Sequence, residues 1–147
     1  MIMKIRGRSI KYRIGLGLLW SGLYKDGVIY VSLISILRRK GYSKHIVAHE
    51  ETHRIVDELL DDASDLPKMN PYEEEVATEL VASVLSGEQI SEWYMTHYKV
   101  SEMSDDQIEV IVNWAHLLLT KFWAVPITKV YIQWLIEPHR KGVRSWN

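Results

Sequence analysis

The chain of 147 residues contains no cysteine. Disulfide scaffolds, thiolate zinc sites and cysteine nucleophiles are therefore excluded, and any metal must be held by histidine and carboxylate side chains. A chain without cysteine also suits a reducing compartment, so we expect a cytoplasmic protein. A long apolar run is missing too, since the stretch from Ile14 to Trp20 is far shorter than the roughly 20 residues of a membrane helix. We therefore expect no membrane partner.

Neither sign of charge dominates the sequence. The formal net charge is -1, so nothing in the total charge points to nucleic acid, and we expect no direct nucleic-acid binding. Hydrophobic residues make up 47% and charged residues 25%, which is typical of a folded globular chain. The length fits one domain, which we predict over residues 1–147.

A basic run precedes the short apolar stretch, as it does in a secretory signal. Its members are Lys4, Arg6, Arg8, Lys11 and Arg13. The apolar stretch continues directly into a hairpin pattern, which favours a strand region over a signal peptide. A secreted hydrolase is kept as a weaker alternative.

The first 35 residues favour β-strands. Asp26-Gly27 lies between Leu23-Tyr24 and the β-branched and aromatic run 28–31, and Asp-Gly readily takes the positive φ angles of a tight hairpin turn. The pattern predicts a small N-terminal antiparallel sheet over about residues 1–35. A charged connector, residues 38–41, follows it.

Helical patterns occupy about residues 43–136, so the predicted fold class is α+β. Ser43 offers an N-cap for the first helix, and Ser104 with Gln107 has the spacing of a capping box. A basic tail is predicted over residues 137–147. The predicted helices run over about residues 43–60, 71–85, 88–97, 104–123 and 126–136.

The motif His49-Glu50-Glu51-Thr52-His53 carries the most specific chemistry in the chain. Residues four apart lie one turn above each other on a helix, so His49 and His53 can reach one metal ion. A glutamate beside that pair can accept a proton from metal-bound water. The spacing predicts zinc ligands at both histidines and a general base at Glu50.

The helical context supports this interpretation. Ile46, His49, His53, Val56 and Leu60 are separated alternately by three and four residues, so the histidines occupy positions in an apolar stripe. We expect them to point inward. The alternative is that both are hydrogen-bonded helix residues without a metal.

A third ligand is expected from Glu73, Glu74 or Glu75, which open the second predicted helix. Periodicity places Glu73 and Glu74 on apolar faces and does not decide which of them is the ligand. Glu75 lies on a polar face with Glu79 and two serines. Acidic residues in the first turn of a helix also interact favourably with the helix dipole. This alternative explains the presence of at least two of the three glutamates without a metal.

Five further polar residues are candidates for supporting roles. Asp57 lies one turn beyond His53 and could orient that histidine. The other four could stabilise an oxyanion, although each is more often a core or boundary residue. They are Tyr72, Tyr94, His97 and His116.

With these motifs, the sequence resembles the ImmA/IrrE family of zinc metallopeptidases, which phages and mobile elements often carry. The resemblance covers residues 21–135: the hairpin at 21–31, the segment 46–53, Glu74-x-x-Ala77 and the ending from Trp114 to Leu135. It implies a small sheet packed against a helical zincin-like domain, Zn²⁺ as cofactor and Glu74 as third ligand. It further implies site-specific cleavage of a helix-turn-helix repressor.

Two departures from the family pattern bear on function. Glu51-Thr52 stands where the family has an apolar residue and glycine, and no helix-turn-helix segment is present, so a DNA-binding partner would be a separate protein. The first departure keeps open a non-enzymatic regulatory or interaction module with a structural or vestigial zinc site. A fourth protein ligand, such as His97 or His116, would identify that module.

Overall fold

The computed structural model describes residues 1–39, 41–59 and 65–140, and these fold into six α-helices and two small sheets. The predicted α+β class is thereby confirmed, while the zincin-like architecture stays a prediction. Contacts divide the chain into two units, residues 1–62 with 81–88, and residues 63–80 with 89–147. None of the described helices combines the length and apolar character that crossing a bilayer requires.

The first sheet of the N-terminal unit is a hairpin of β1 (Ile2–Ile5) and β2 (Arg8–Lys11). The intervening Arg6-Gly7 turn has φ angles of 49° and 81°, which are the positive values of a tight hairpin turn. Ile5 and Ile10 are the buried side chains of the two strands. The hairpin thus contributes one apolar face to the core of this unit.

The second sheet contains β3 (Arg13–Gly15), β4 (Gly22–Lys25) and β5 (Val28–Ser32) in the order β3-β5-β4. The predicted hairpin at Asp26-Gly27 is confirmed, with φ angles of 51° and 77°. The sheet is mixed, because β3 pairs parallel to β5. The expectation of a purely antiparallel sheet was wrong at this point, since the loop 16–21 carries the chain across to the other side of β5.

Two helices follow the sheet. The short helix α1 (Leu33–Arg38) was not predicted; Ser32 caps it by accepting a hydrogen bond from the Ser35 amide at 3.2 Å. The helix α2 (Ser43–Leu59) carries the histidine motif and packs against β4, β5 and β1. Ser43 is its first residue rather than its N-cap, and Leu60 lies outside the described residues.

The third helix, α3 (Pro71–Ser86), has residues in both units. The second unit also contains α4 (Glu92–His97), α5 (Asp105–Leu117) and α6 (Lys129–Arg140). A 3₁₀ turn follows α4, and a π-helical turn, Leu118–Phe122, continues α5. The core of the second unit is apolar. Its buried side chains include Met95, Val100, Ile108, Ile111, Trp114, Leu118, Leu119, Trp123, Ile132 and Ile136.

Helix ends in the second unit follow their capping groups. The capping box of Ser104 and Gln107 is confirmed. The fourth helix begins at Glu92 rather than residue 88, because Ser91 caps it through the Tyr94 amide. The last helix begins at Lys129 rather than at Pro126.

Residues 137–140, which were assigned to a basic tail, belong to a helix. Helix α6 continues to Arg140, whose guanidinium hydrogen-bonds Glu137 at 3.0 Å and pairs with Asp105. These contacts hold the last turn despite Pro138 inside it. Residues 141–147 lie outside the described residues.

Helix α2 is tied to β2 by a partly buried ion pair between Glu51 and Arg8. Glu51 is 3% exposed, and its carboxylate accepts from Arg8 at 2.8 Å and from Arg54 at 2.5 Å. Burial raises the pKa of Glu51, but the hydrogen bonds from the two arginines lower it by more, so the pKa lies below its ordinary value. The face of α2 that carries Glu51 is therefore buried at this turn.

The replacement Glu51→Gln is expected to destabilise the protein by about 1–3 kcal/mol, because it leaves two partly buried arginines without their carboxylate. Arg8→Met should cost less, since Arg8 is more exposed than Glu51. Urea unfolding of both single variants and the double variant measures the coupling. Additive losses, or losses no larger than for Arg13→Met on exposed β3, would contradict the role given to this pair.

Candidate metal centre

The two histidines of the motif face each other on α2. The Nε2 atoms of His49 and His53 are 3.2 Å apart, and their rings meet at 68° with centroids 4.9 Å apart. His49 is 7% exposed and His53 is half-buried. The two side chains therefore converge, with His49 buried and His53 only partly buried.

This spacing fits two ligands of one tetrahedral zinc ion. Two nitrogens bound at 2.0–2.1 Å with a tetrahedral angle between them lie about 3.3 Å apart. The observed 3.2 Å needs almost no rearrangement to reach that value. Imidazole nitrogens are also donors that zinc prefers, so the donor set and the geometry agree.

Among the described residues, one group of three side chains could hold a metal ion: His49, His53 and Glu75. The carboxylate in the group is thus Glu75, which was an alternative from the sequence, and not Glu74, which the family resemblance favours.

The polar face of α3 is largely buried, which the periodicity of the sequence does not reveal. That face continues from Glu75 to Glu79 and Ser83, which are 2% and 9% exposed, and ends at Ser86, whose hydroxyl lies 2.9 Å from Nδ1 of buried His45. A polar face normally indicates solvent, but here it is buried. The burial of these polar side chains would have drawn attention to Glu75, but the sequence pattern alone does not show it.

Glu73 has a structural task at the start of α3. Its Oε1 accepts from the Asn70 amide at 2.8 Å, and the Asn70 side chain accepts from the Glu73 amide at 2.8 Å. The side-chain amide of Gln107 donates to the other Glu73 oxygen at 3.1 Å. Asn70 and Glu73 therefore form a capping box at the start of the helix.

Glu75 is oriented by two tyrosines. The hydroxyl of Tyr94 donates to Glu75 Oε2, and Tyr98 packs against Tyr94 with ring centroids 4.7 Å apart. Burial and the Glu75 carboxylate raise the pKa of both tyrosines, so both stay neutral donors. Tyr94 was a candidate from the sequence, whereas Tyr98 was missed because an aromatic residue in a short helical segment has no distinctive spacing.

The remaining candidates lie in different surroundings. Tyr72 is 46% exposed and meets the Tyr98 ring edge-on. His97 is exposed and stacks on Trp93 at 4.8 Å, and His116 is half-buried on α5. Asp57 is exposed one turn beyond His53. None of these four belongs to the group of three metal-ligand side chains found among the described residues.

Glu50 lies beside strand β4 at a point where only glycine fits. A Cβ atom on Gly22 would be 2.5 Å from Ile46 Cγ2 and 3.0 Å from Glu50 Oε2. Because no side chain intervenes, the strand backbone and the Glu50 carboxylate approach closely. Glycine is therefore required at position 22 because β4 packs directly against α2 there.

Glu51 and Thr52, the two residues that differ from the family motif, both lie within α2. Glu51 is bound to Arg8 and Arg54, as described above. Thr52 is fully buried, and its hydroxyl donates to the Ala48 carbonyl at 2.7 Å. Both polar side chains therefore have partners within the N-terminal unit.

Comparison of the chain with protein-family models, with curated proteins and with solved structures finds no match. The relation to ImmA/IrrE peptidases accordingly stays a prediction from the motifs.

Gly22→Ala is expected to displace Ile46 and Glu50 and to lower stability by about 1–3 kcal/mol, because the added methyl group has no space. Thermal unfolding measures the loss. Lys25→Ala, at an exposed position of the same strand, is the matched control. Equal stability of the two variants would mean that the close approach is not required.

Glu75→Gln is expected to weaken zinc binding by more than the roughly 10- to 100-fold loss typical for residues that only orient a ligand. Glu74→Gln, the same substitution at the neighbouring position of α3, is the control and should change zinc affinity by less than about threefold. Competition with a fluorescent chelator measures both. The opposite order of losses would restore Glu74 as the third ligand.

Proposed function

We propose that the protein is a zinc-dependent endopeptidase with His49, His53 and Glu75 as ligands and Glu50 as general base. The observation that carries the proposal is the 3.2 Å separation of the two Nε2 atoms with Glu50 next to the first of them. Two imidazoles and one carboxylate form a ligand set used by catalytic zinc sites. Such a set leaves a fourth coordination position for water.

Each residue has a defined task in this reaction. Bound zinc would supply an acidified water and polarise the substrate carbonyl. Glu50 would accept the proton at its carboxylate and pass it to the departing amine. Tyr94 would hold Glu75 in place through the hydroxyl–carboxylate hydrogen bond.

Strand β4 offers a place for an extended peptide. It lies at one edge of its sheet, with β5 as its neighbour. A peptide can add to such an edge through backbone hydrogen bonds. At Gly22 this strand approaches Glu50, so a scissile bond aligned there would be within reach of the base.

The substrate class follows from the family resemblance alone. A site-specific peptidase of this type would regulate a phage or mobile element by cutting its helix-turn-helix repressor, a separate protein. The rival function, a structural or vestigial zinc site in an interaction module, requires a fourth protein ligand. His97 and His116, the two candidates for it, lie outside the three-residue group.

Glu50→Gln is expected to abolish peptide cleavage while fold and zinc content are kept, because glutamine preserves the shape but cannot accept the proton. A loss of at least about 100-fold is expected. Zinc-loaded protein is incubated with a library of proteome-derived peptides, and mass spectrometry scores the new termini.

Glu58→Gln, at an exposed position on the same helix, is the control and should cleave like the parent chain. Unchanged cleavage by Glu50→Gln would refute the assigned base. The parent chain could bind one zinc ion per molecule and yet cleave neither the peptide library nor a purified helix-turn-helix repressor. That result would favour the non-enzymatic module.

A further inference from the structure

Opposite charges are separated along the chain. Residues 1–49 contain ten Lys and Arg and a single acidic residue, Asp26, so their formal charge is +9; residues 50–147 carry eight basic and eighteen acidic residues, a formal charge of -10. The net charge of -1 conceals this asymmetry. Such asymmetry points to an anionic partner for the basic part.

The basic part also exposes leucines. Leu16, Leu18 and Leu19 in the loop 16–21 are 62%, 74% and 98% exposed, and Leu33 and Leu37 on α1 are 40% and 76% exposed. Isolated exposed leucines are ordinary on protein surfaces, but these five lie in one loop and in the helix to which that loop is hydrogen-bonded through Ser32 and Ser35. Exposed apolar side chains grouped in this way mark an interaction site. We call these five residues the leucine surface.

The loop that presents these leucines is fixed to the rest of the unit. The Ser32 hydroxyl donates to the Gly17 carbonyl at 2.9 Å, and the Ser32 amide donates to the Ser21 carbonyl at 2.8 Å. The Trp20 ring meets the Tyr30 ring edge-on, with centroids 6.5 Å apart. The loop is therefore anchored at both ends and joined to the start of α1, while its leucines point outward.

Cationic residues adjoin the leucine surface in the chain. Arg13 lies three residues before Leu16, and Arg38 directly follows Leu37; both side chains are exposed. Apolar side chains beside basic ones are the composition that binds at an anionic bilayer surface, where the leucines enter the interface and the cations contact the headgroups.

We propose that the leucine surface and its neighbouring cations bind an anionic lipid bilayer peripherally. Protein–protein hot spots are rich in tryptophan, tyrosine and arginine and poor in leucine, so a protein partner would be expected to use different side chains. Single-stranded nucleic acid would require an aromatic stacking platform rather than leucines. The combination of positive charge and leucine therefore favours lipid.

Co-sedimentation of the full chain with vesicles tests the proposal. Vesicles of phosphatidylcholine with 30% phosphatidylglycerol, a composition chosen for the assay at about 0.1 M salt, should pellet the protein, and pure phosphatidylcholine vesicles should bind it at least about tenfold more weakly. Raising the salt to about 0.5 M should reduce binding, because it screens the attraction between the cations and the headgroups.

Two variants separate the apolar and the charged contributions. Leu18→Ser with Leu19→Ser should lower the partition coefficient at least about tenfold, and Arg13→Gln with Arg38→Gln should do so as well. The matched control replaces two exposed apolar residues of α6, Val130→Ser with Trp134→Ser, and should bind like the parent chain.

Three results would overturn the proposal. They are no binding of the parent chain to the anionic vesicles, equal binding by the leucine variant, and a dimer in analytical ultracentrifugation that the leucine variant converts to monomer. The last result would assign the surface to a second copy of the chain. Zinc binding and peptide cleavage are not involved in this assay, so its outcome is independent of the proposed peptidase function.

Discussion

The candidate metal centre depends on two imidazole nitrogens held 3.2 Å apart on one turn of α2. Helical spacing stacks the two side chains, and packing of α2 against β4, β5 and β1 buries the turn that carries them. The ion pairs of Glu51 with Arg8 and Arg54 connect the same turn to β2. The site is thus built on a rigid helix whose position is fixed by apolar contacts and by buried charge.

Local spacing explains how much of the site was predictable. His49, Glu50 and His53 lie within five residues, and a helix fixes their relation regardless of the rest of the chain. Glu75 could not be assigned in this way, because a polar helix face is normally solvent-exposed and only tertiary packing buries this one. Glu51 is a similar case, since the partner that explains it, Arg8, precedes it by 43 residues.

The fold was predictable where short-range chemistry decides it. Asp26-Gly27 forms its turn and Ser104 its capping box because both depend on neighbouring residues alone. The parallel pairing of β3 with β5 was missed because it joins strands separated by a loop and another strand. The short helix α1 was missed although its Ser32 cap is local, because Ser32 ends a segment whose β-branched and aromatic residues favour a strand. The summed charge was uninformative for another reason: it averages a basic N-terminal third and an acidic remainder.

Zinc K-edge X-ray absorption spectroscopy on the zinc-loaded chain tests the central claim most directly. The predicted coordination shell contains two imidazole nitrogens and two oxygens, one from a carboxylate and one from water, at about 2.0–2.1 Å. His53→Ala should reduce the imidazole count to one. A shell with three or more imidazoles, a shell of six oxygens, or a spectrum unchanged by His53→Ala would contradict a catalytic zinc centre at this turn of α2.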